Sequence, residues 1–184
     1  GVSGPAATAA EVELTTRTWN RTAHPVDPGA TLVSLFDAQV ARTPDATAVV
    51  FDTGAGEIAL TYRELAARAN RLARHLIATG VGPDDLVGLG LRRGIDLVVA
   101  MYAVHAAGAA YVPLDPDHPA ERVDHILRTA RPTCVLTTGP DGFGADRAPL
   151  VRLDELDLAG RSADPVRDRD RVAPLRPEHA AYVI

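Results

Sequence analysis

The fold of this chain is decided by residues 86–137, which read LVGLGLRRGIDLVVAMYAVHAAGAAYVPLDPDHPAERVDHILRTARPTCVLT. Three short apolar runs in this stretch are typical of strands buried on both faces, as the strands of parallel sheets are. Two longer stretches with helical patterning separate the runs. The predicted strands are Leu86–Leu91, Ala109–Leu114 and Thr133–Thr137, and the predicted helices are Asp96–Ala107 and residues 119–130, with Pro119 at the first helical position.

This alternation of strands and helices predicts a βαβαβ unit. Successive parallel strands of one sheet are joined by right-handed crossovers. The fold class is therefore α/β, with a mostly parallel sheet flanked by helices.

Upstream of this unit, the sequence predicts an N-terminal helix followed by a β-hairpin. Thr31 is a good N-cap, and Pro44 ends the helix. The apolar residues between them fall on one helical stripe and are Leu32, Leu35, Phe36 and Val40. The hairpin strands are Ala46–Phe51 and Glu57–Leu60, on either side of a turn with two glycines.

Another helix is predicted to begin at Thr61–Glu64, TYRE, which is a capping box. Its apolar side consists of Leu65, Ala69, Leu72, Ala73 and Leu76, and its arginines are Arg63, Arg68, Arg71 and Arg74. Since no aromatic residues lie between these arginines, they indicate a solvated helix face rather than a phosphate-binding groove.

The remaining segments carry weaker signals. Residues 148–153 predict a further strand, and Ala180–Ile184 a final one. Arg161–Arg176, with alternating charges and prolines, is interpreted as a solvated connector. Residues 1–20 are interpreted as a linker remnant and residues 21–184 as an incomplete domain, so that we expect the chain to be cut from a longer polypeptide.

Composition excludes several classes of function. The chain has 184 residues and a net charge of −5, which does not suit a nucleic-acid binder. No apolar run approaches the length of a membrane span. The single cysteine, Cys134, excludes an internal disulfide and a cysteine zinc site. All 19 basic residues are arginine, which excludes chemistry that needs a lysine ammonium group.

Patterns that could indicate catalysis are weak. Gly88–Gly94, GLGLRRG, is similar to a dinucleotide-binding loop, but two of its glycines lie inside a predicted strand and the third comes one residue late. This favours structural glycines that allow close packing. The six histidines complete no metal-ligand set, and no serine lies in a nucleophile elbow.

Two segments resemble known family motifs more specifically than any of these patterns resembles a catalytic site. Leu60–Leu65, LTYREL, resembles the first core motif of the adenylation domains of nonribosomal peptide synthetases. Residues 103–116, AVHAAGAAYVPLDP, resemble the second, with His105-Ala106 in place of the usual Leu-Lys. Further matches in the same order are Trp19-Asn20, LFDAQ at 35–39 and RTPD at 42–45. From about Glu13 to Ile184, the chain resembles the N-terminal part of such a domain.

The resemblance implies a structural role for the motif residues. They are Leu60, Thr61, Tyr62, Glu64, Leu65, Gly108, Ala110, Tyr111, Val112, Pro113, Leu114 and Asp115. Gly108 would let the buried helix turn into the next strand, and Pro113 is expected where no ladder donor is needed. The resemblance assigns no catalytic, cofactor-binding or metal-binding residue to this chain.

Members of the family activate an amino acid with ATP and Mg²⁺ to an aminoacyl-adenylate, and then transfer it to the phosphopantetheine thiol of a carrier domain. The resemblance implies that the phosphate loop follows a strand like residues 181–184, so we expect this chain to be an inactive scaffold without its own cofactor. The implied partners are the remainder of the adenylation domain, neighbouring condensation and carrier domains and a small accessory protein. Neither nucleic acid nor a membrane is implied, and the expected location is the cytoplasm.

Two alternatives stay open at this point. The chain could be part of an acyl-CoA or aryl-acid ligase of the same superfamily. It could also be a non-catalytic module that docks neighbouring proteins.

Overall fold

Strands and helices alternate along the chain. The computed structural model describes residues 7–25, 27–143 and 148–184. The helices are α1 (Ala9–Glu13), α2 (Leu32–Arg42), α3 (Tyr62–Ala78), α4 (Ile95–Ala107) and α5 (Ala120–Ala130); the strands are β1 (Thr47–Asp52), β2 (Glu57–Thr61), β3 (Leu86–Gly90), β4 (Ala110–Pro113), β5 (Cys134–Thr137) and β6 (Leu150–Arg152).

The main sheet contains four parallel strands in the order β4-β3-β5-β6. Central β3 pairs on one side with β4, placing Leu86 opposite Ala110, and on the other with β5, placing Val87 opposite Cys134. The chain crosses from β3 to β4 through α4 and returns past β3 to β5 through α5. The α/β fold and the βαβαβ unit predicted from the sequence are confirmed.

Side chains of the sheet pack into two apolar clusters, because successive residues of a strand face opposite sides. Val87 and Leu89 lie in the larger cluster with α3 and α4. Val135 lies in the smaller one with Phe143 and the α5 residues Val123 and Leu127. Apolar α4 is buried because α3 and the sheet both cover it.

A separate antiparallel hairpin, β1–β2, precedes α3 and packs on it. The predicted capping box of Thr61 and Glu64 begins α3, and the predicted N-cap Thr31 begins α2 as part of a second capping box with Ser34. At the far end of α3, Gly80 has a φ of +95°, and the amide of Val81 donates to the carbonyl of Leu76. The predicted bounds and apolar face of α3 are thereby confirmed.

The segment Arg161–Arg176 corrects the sequence interpretation, because it is not simply a solvated connector. Val166 is 3% exposed and belongs to the larger core cluster. Arg171 donates from Nε to the carbonyl oxygen of Ala106 at 2.8 Å, and Asn70 donates to the carbonyl oxygen of Ala163 at 3.0 Å. The alternating charges of the segment did not indicate this burial, because the stem of Arg171 is buried while its guanidinium donates hydrogen bonds to backbone carbonyls.

Residues 180–184 also differ from the predicted strand. They form one parallel bridge, in which the amide of Tyr111 donates to Ala181 and the amide of Val183 donates to Tyr111. Alternate residues of a strand present their backbone groups to the same side, so Pro113 would be the next donor towards this segment. Because proline has no N–H, the ladder does not extend past Tyr111.

Two smaller differences concern helix ends. Pro119 is the N-cap of α5 and not its first helical residue, since its ψ of 139° is not helical. Residues 9–18, within the predicted linker, form α1 and a π-helical turn (Leu14–Thr18) that bury no residue.

Candidate functional site

The first motif forms the junction between the hairpin and α3. Leu60 and Leu65 are 3% and 2% exposed, on either side of the helix start. Thr61 Oγ1 accepts the amide of Glu64 at 3.2 Å, and Glu64 Oε2 accepts the amide of Thr61 at 2.8 Å. These bonds lower the pKa of Glu64, because they stabilise its carboxylate form.

Two further amides at this helix start are satisfied by the chain before β1. Tyr62 N–H donates to the carbonyl oxygen of Ala46 at 3.0 Å, and Arg63 N–H donates to that of Pro44 at 2.9 Å. The first turn of a helix has four amides without partners inside the helix. The junction satisfies all four, two within the capping box and two by carbonyls of the preceding chain, so its hydrogen bonds join α3 to the start of the hairpin.

The second motif forms the passage from α4 into β4. Gly108 has a φ of +99°, and a Cβ placed there would lie 3.1 Å from Cγ of Pro83. This position requires glycine for both reasons. In the strand that follows, Ala110, Val112 and Leu114 are buried, being 1%, 4% and 1% exposed, and the alternate residues Tyr111 and Pro113 face outward.

Asp115 closes the second motif as a turn residue. Its Oδ1 accepts the amide of Asp117 at 2.9 Å, and its carbonyl oxygen accepts the amide of His118 at 3.1 Å. The carboxylate therefore stabilises the turn that leads into α5.

The two motifs meet at one groove, through one tyrosine each. Tyr62 and Tyr111 line an open groove of about 570 Å³ between α2, α4 and the outer edge of β4. All four tyrosines of the chain lie in it, together with Phe36; the other two tyrosines are Tyr102 and Tyr182. His105, which is also in the second motif segment, lines the groove as well.

Aromatic contacts organise the groove. The rings of Phe36 and Tyr102 are stacked at 4.1 Å, and those of Tyr111 and Tyr182 at 5.8 Å. His105 lies 5.4 Å from the ring of Tyr111, and burial lowers the pKa of this histidine, which favours its neutral form near neutral pH. Leu32 and Leu35, on the rim, are 54% and 59% exposed.

Sequence reasoning did not find Phe36, Tyr102, His105 and Tyr182 as members of one surface. Phe36 was recognised as part of the apolar stripe of α2, but that pattern does not say what the stripe contacts. They come from three distant parts of the chain, and the packing of α2 on α4 and the bridge between Tyr111 and Tyr182 place them together.

The carboxyl-end edge of the sheet is the usual ligand position in an open α/β fold, at the point where the strand order reverses. In this sheet the strand order reverses between β3 and β5, and side chains fill the crevice there. A Cβ on Gly90 would lie 2.8 Å from Cγ of Phe143, so the phenyl ring covers the end of β3. Beside it, the amide of Arg92 donates to Asp141, and its guanidinium donates to Asp117 at 2.6 Å.

The glycines of the sequence pattern that is similar to a dinucleotide-binding loop lie at the same edge of the sheet. Gly88 and Gly90 lie inside β3, and a Cβ on Gly88 would lie 2.7 Å from Cδ1 of Leu114 and 2.9 Å from Cγ2 of Val135. These glycines are structural, as the sequence indicated. Burial raises the pKa of the Cys134 thiol to about 11, so this side chain is a small core residue and not a nucleophile at neutral pH.

These residues do not fit ATP and Mg²⁺. The chain has no lysine to contact phosphates, and the crevice between β3 and β5 is filled by Phe143 and the Arg92 ion pairs. The open cavity of about 630 Å³ at the carboxyl ends of β3 and β4 is lined by Arg92 together with Asp115 and Asp117. Within residues 7–25, 27–143 and 148–184, no group of three or more His, Cys, Asp or Glu side chains is placed to hold a metal ion. Over the same residues, no helix is both long and apolar enough to cross a bilayer.

Comparison with known proteins identifies relatives over most of the chain. The family model described as AMP-binding enzyme matches residues 36–184. A dimodular nonribosomal peptide synthase from Bacillus subtilis (strain 168) is 41% identical over 164 residues, which is 85% of this chain and 7% of that protein. The chain thus spans a small fraction of the length of the curated relatives that it matches.

Solved structures show the same similarity. A crystal structure of the nonribosomal peptide synthetase FmoA3 matches with a TM-score of 0.75 and 36% identity, over 90% of this chain and 17% of that one. Structures of the same synthetase carry AMPPNP or α-methyl-L-serine-AMP. A fatty acid AMP ligase from Legionella pneumophila matches with a TM-score of 0.65 and 25% identity, over 70% of this chain and 24% of that one.

Proposed function

Because the chain belongs to the AMP-binding enzyme family, and corresponds to the N-terminal part of a nonribosomal peptide synthetase adenylation domain, we propose that it is the scaffold half of an amino-acid-activating ligase. The observation that carries this proposal is the family match over residues 36–184. The greater identity to a peptide synthetase than to the fatty acid ligase, 36% against 25%, favours an amino acid over a fatty acid as the substrate class.

In the proposed reaction, a carboxylate oxygen of the amino acid attacks the α-phosphorus of ATP. The bond between the α- and β-phosphates breaks, and pyrophosphate leaves. The thiol sulfur of a carrier-domain phosphopantetheine then attacks the carbonyl carbon, and AMP leaves. We place neither step on a residue of this chain, since its residues do not fit ATP and Mg²⁺. We therefore propose that this chain is inactive alone.

The contribution of this chain in the proposal is a surface on which the catalytic part packs. The aromatic groove between α2 and α4 supports this, because four tyrosines and Phe36 line it while Leu32 and Leu35 remain more than half exposed. An exposed apolar patch of this kind marks an interaction surface. We propose the remainder of the adenylation domain as its occupant, and place the condensation and carrier domains beside the assembled domain.

The motif residues have a structural role in this proposal. Thr61, Glu64 and Leu65 hold α3 against the hairpin, and Gly108 and Leu114 hold β4 against α4 and β3. Tyr62 and Tyr111 then present the groove.

Complementation tests the proposal. We expect amino-acid-dependent exchange of labelled pyrophosphate into ATP when this chain is mixed with a separately produced C-terminal remainder of a related adenylation domain, and none from either part alone. Leu35→Ser, on the groove, should weaken complementation, whereas Val12→Ser, outside the groove on exposed α1, should not. Exchange by this chain alone would refute the scaffold assignment, and a mixture without exchange, despite a stable complex, would refute the activity.

A further inference from the structure

A second cavity lies away from the aromatic groove and from both motifs. It has a volume of about 470 Å³ and lies between α3, the first turns of α4 and residues 153–159. Its wall is apolar, with Leu72 and Val99 only 2% and 7% exposed, and Leu153 and Leu158 opposite them. This size and lining are those of small-molecule sites.

Two guanidinium groups line the same cavity. Of the four arginines of α3, Arg63 pairs with Asp45 at 3.0 Å, and Arg74, whose side chain is only 19% exposed, pairs with Asp170 at 3.3 Å. The other two, Arg68 and Arg71, both line the cavity. Within the described residues neither forms an ion pair, although Arg68 acts on Glu64 at longer range.

Arg71 has an unsatisfied donor at this cavity. Its Nε is buried and has no hydrogen-bond partner among the described residues. A buried N–H without an acceptor is costly, so an acceptor supplied by a ligand is stabilised there. One carboxylate, Asp96, also lines the cavity, and it forms no ion pair with either arginine; the balance of charge is therefore positive.

The surroundings favour a small ligand over a protein partner. The large apolar residues that are exposed elsewhere, such as Leu35, Val50 and Tyr182, do not line this cavity. A protein interface needs an apolar patch of several hundred Å² around its centre. Here the apolar surface is confined to the cavity wall.

We propose that this cavity binds a small amphipathic carboxylate, whose apolar body contacts Leu72 and Leu158 and whose carboxylate accepts hydrogen bonds from Arg71 and Arg68. The guanidinium fork matches the two oxygens of a carboxylate. The site does not depend on the proposed ligase activity, because the cavity shares no residue with either motif or with the aromatic groove.

Octanoate binding to the whole chain, measured by titration calorimetry, tests the proposal. We expect octanoate to bind, and octanol, octylammonium and inorganic phosphate to bind about tenfold more weakly or not at all, since a hydrogen bond to a charged group contributes roughly that factor. If phosphate bound with the same affinity as octanoate, the apolar part of the site would be refuted. If octanol bound with the same affinity as octanoate, the role of the arginines would be refuted. No detectable binding of octanoate would refute the site.

Matched variants locate the binding. Arg71→Gln should lower the affinity for octanoate about tenfold, whereas Arg63→Gln, on the same helix and with the same change of charge, should leave it unchanged. The Nε–Hε NMR signal of Arg71 in the unsubstituted chain should shift on addition of octanoate, which does not depend on how the variants fold. Equal effects of the two variants, or a Nε–Hε signal that does not move, would contradict the assignment.

Discussion

Thr61 and Glu64 show how two neighbouring side chains fix an element boundary. The hydroxyl and the carboxylate each accept an amide at the start of α3, and the same geometry recurs at Thr8 and Glu11 before α1. The difference lies in the setting, because α3 buries seven residues and α1 buries none. The pair permits comparison of one local interaction in two tertiary contexts.

Thr61→Ala should lower the free energy of unfolding by about 1 kcal/mol, because the amide of Glu64 loses its acceptor. Thermal unfolding followed by circular dichroism measures this. Thr8→Ala, which removes the same bond from α1, should leave the melting temperature unchanged. An equal loss in both variants would show that α1 is part of the cooperative unit.

Glu64 makes part of this stability depend on pH. Its pKa is lowered in the folded chain by hydrogen bonds from Thr61, so its contribution is complete above the unfolded pKa and is lost as pH falls through the folded one. The melting-temperature difference between the unsubstituted chain and Glu64→Ala should therefore narrow between about pH 7 and about pH 3. Glu11→Ala, the control on α1, should show no difference at either pH. A melting-temperature difference that increases as the pH falls would contradict the stabilising role of the Glu64 carboxylate.

Gly90 tests the close contact at the carboxyl end of β3. A methyl group there would lie 2.8 to 3.1 Å from three ring atoms of Phe143, which is 5% exposed and cannot easily move. Gly90→Ala should therefore destabilise the chain by about 1–3 kcal/mol, measured by urea unfolding. The methyl group of Gly94→Ala would lie in open space, so this variant should lose much less free energy of unfolding. Similar losses for both would mean that Phe143 is free to shift.

At the scale of elements, the segment Arg161–Arg176 holds the helical layer together. It places Val166 in the core and donates hydrogen bonds to the backbone carbonyls of Arg74 in α3 and Ala106 in α4. The guanidinium of Arg171 donates to Ala106, Val166 and Asp168, and its side chain is 5% exposed. One arginine therefore links the segment to the end of α4.

Arg171→Ala should lower the free energy of unfolding by about 2 kcal/mol, because two buried carbonyl oxygens lose a charged donor. Arg169→Ala is the matched control, since Arg169 is in the same turn but its side chain is 86% exposed. Chemical unfolding of both variants measures the difference. A loss no greater than that of the control would restore the interpretation of this segment as a solvated connector.

At the scale of the molecule, two parts of the surface differ in how far their apolar residues are exposed. Three of the exposed large apolar side chains, Leu32, Leu35 and Tyr182, line the aromatic groove, and each is more than half exposed. The cavity under the α3 arginines, by contrast, keeps its apolar residues on its wall. The first surface suits a large apolar partner and the second a small charged one.

We expect the isolated chain to bind an apolar fluorescent dye at the aromatic groove, because this surface is uncovered. Leu35→Ser should reduce the fluorescence, and Val12→Ser, on α1, should not. Addition of a C-terminal remainder that restores pyrophosphate exchange should displace the dye. Dye fluorescence that survives such a complex would place the interface elsewhere.

Local patterns predicted most elements, because periodicity and caps act over a few residues. The apolar stripe of α3, its capping box and the apolar runs of β3 and β5 each correspond to observed elements. The failures are the segment Arg161–Arg176 and residues 180–184. In both, a long-range contact decided the outcome: an arginine bonded to the end of α4, and a proline that interrupts a ladder.

The sequence by itself determined the α/β class, the order of the elements and the family, because each rests on short-range patterning or on motifs read along the chain. Tertiary structure alone decided that four tyrosines share one groove, and that Phe143 and Arg92 fill the crevice between β3 and β5. It also decided that the buried Nε of Arg71 has no acceptor among the residues that the structure describes. These features depend on which faces of distant helices and strands meet. Pattern specifies which face of an element is apolar, whereas the partner of that face is set by packing across the whole chain.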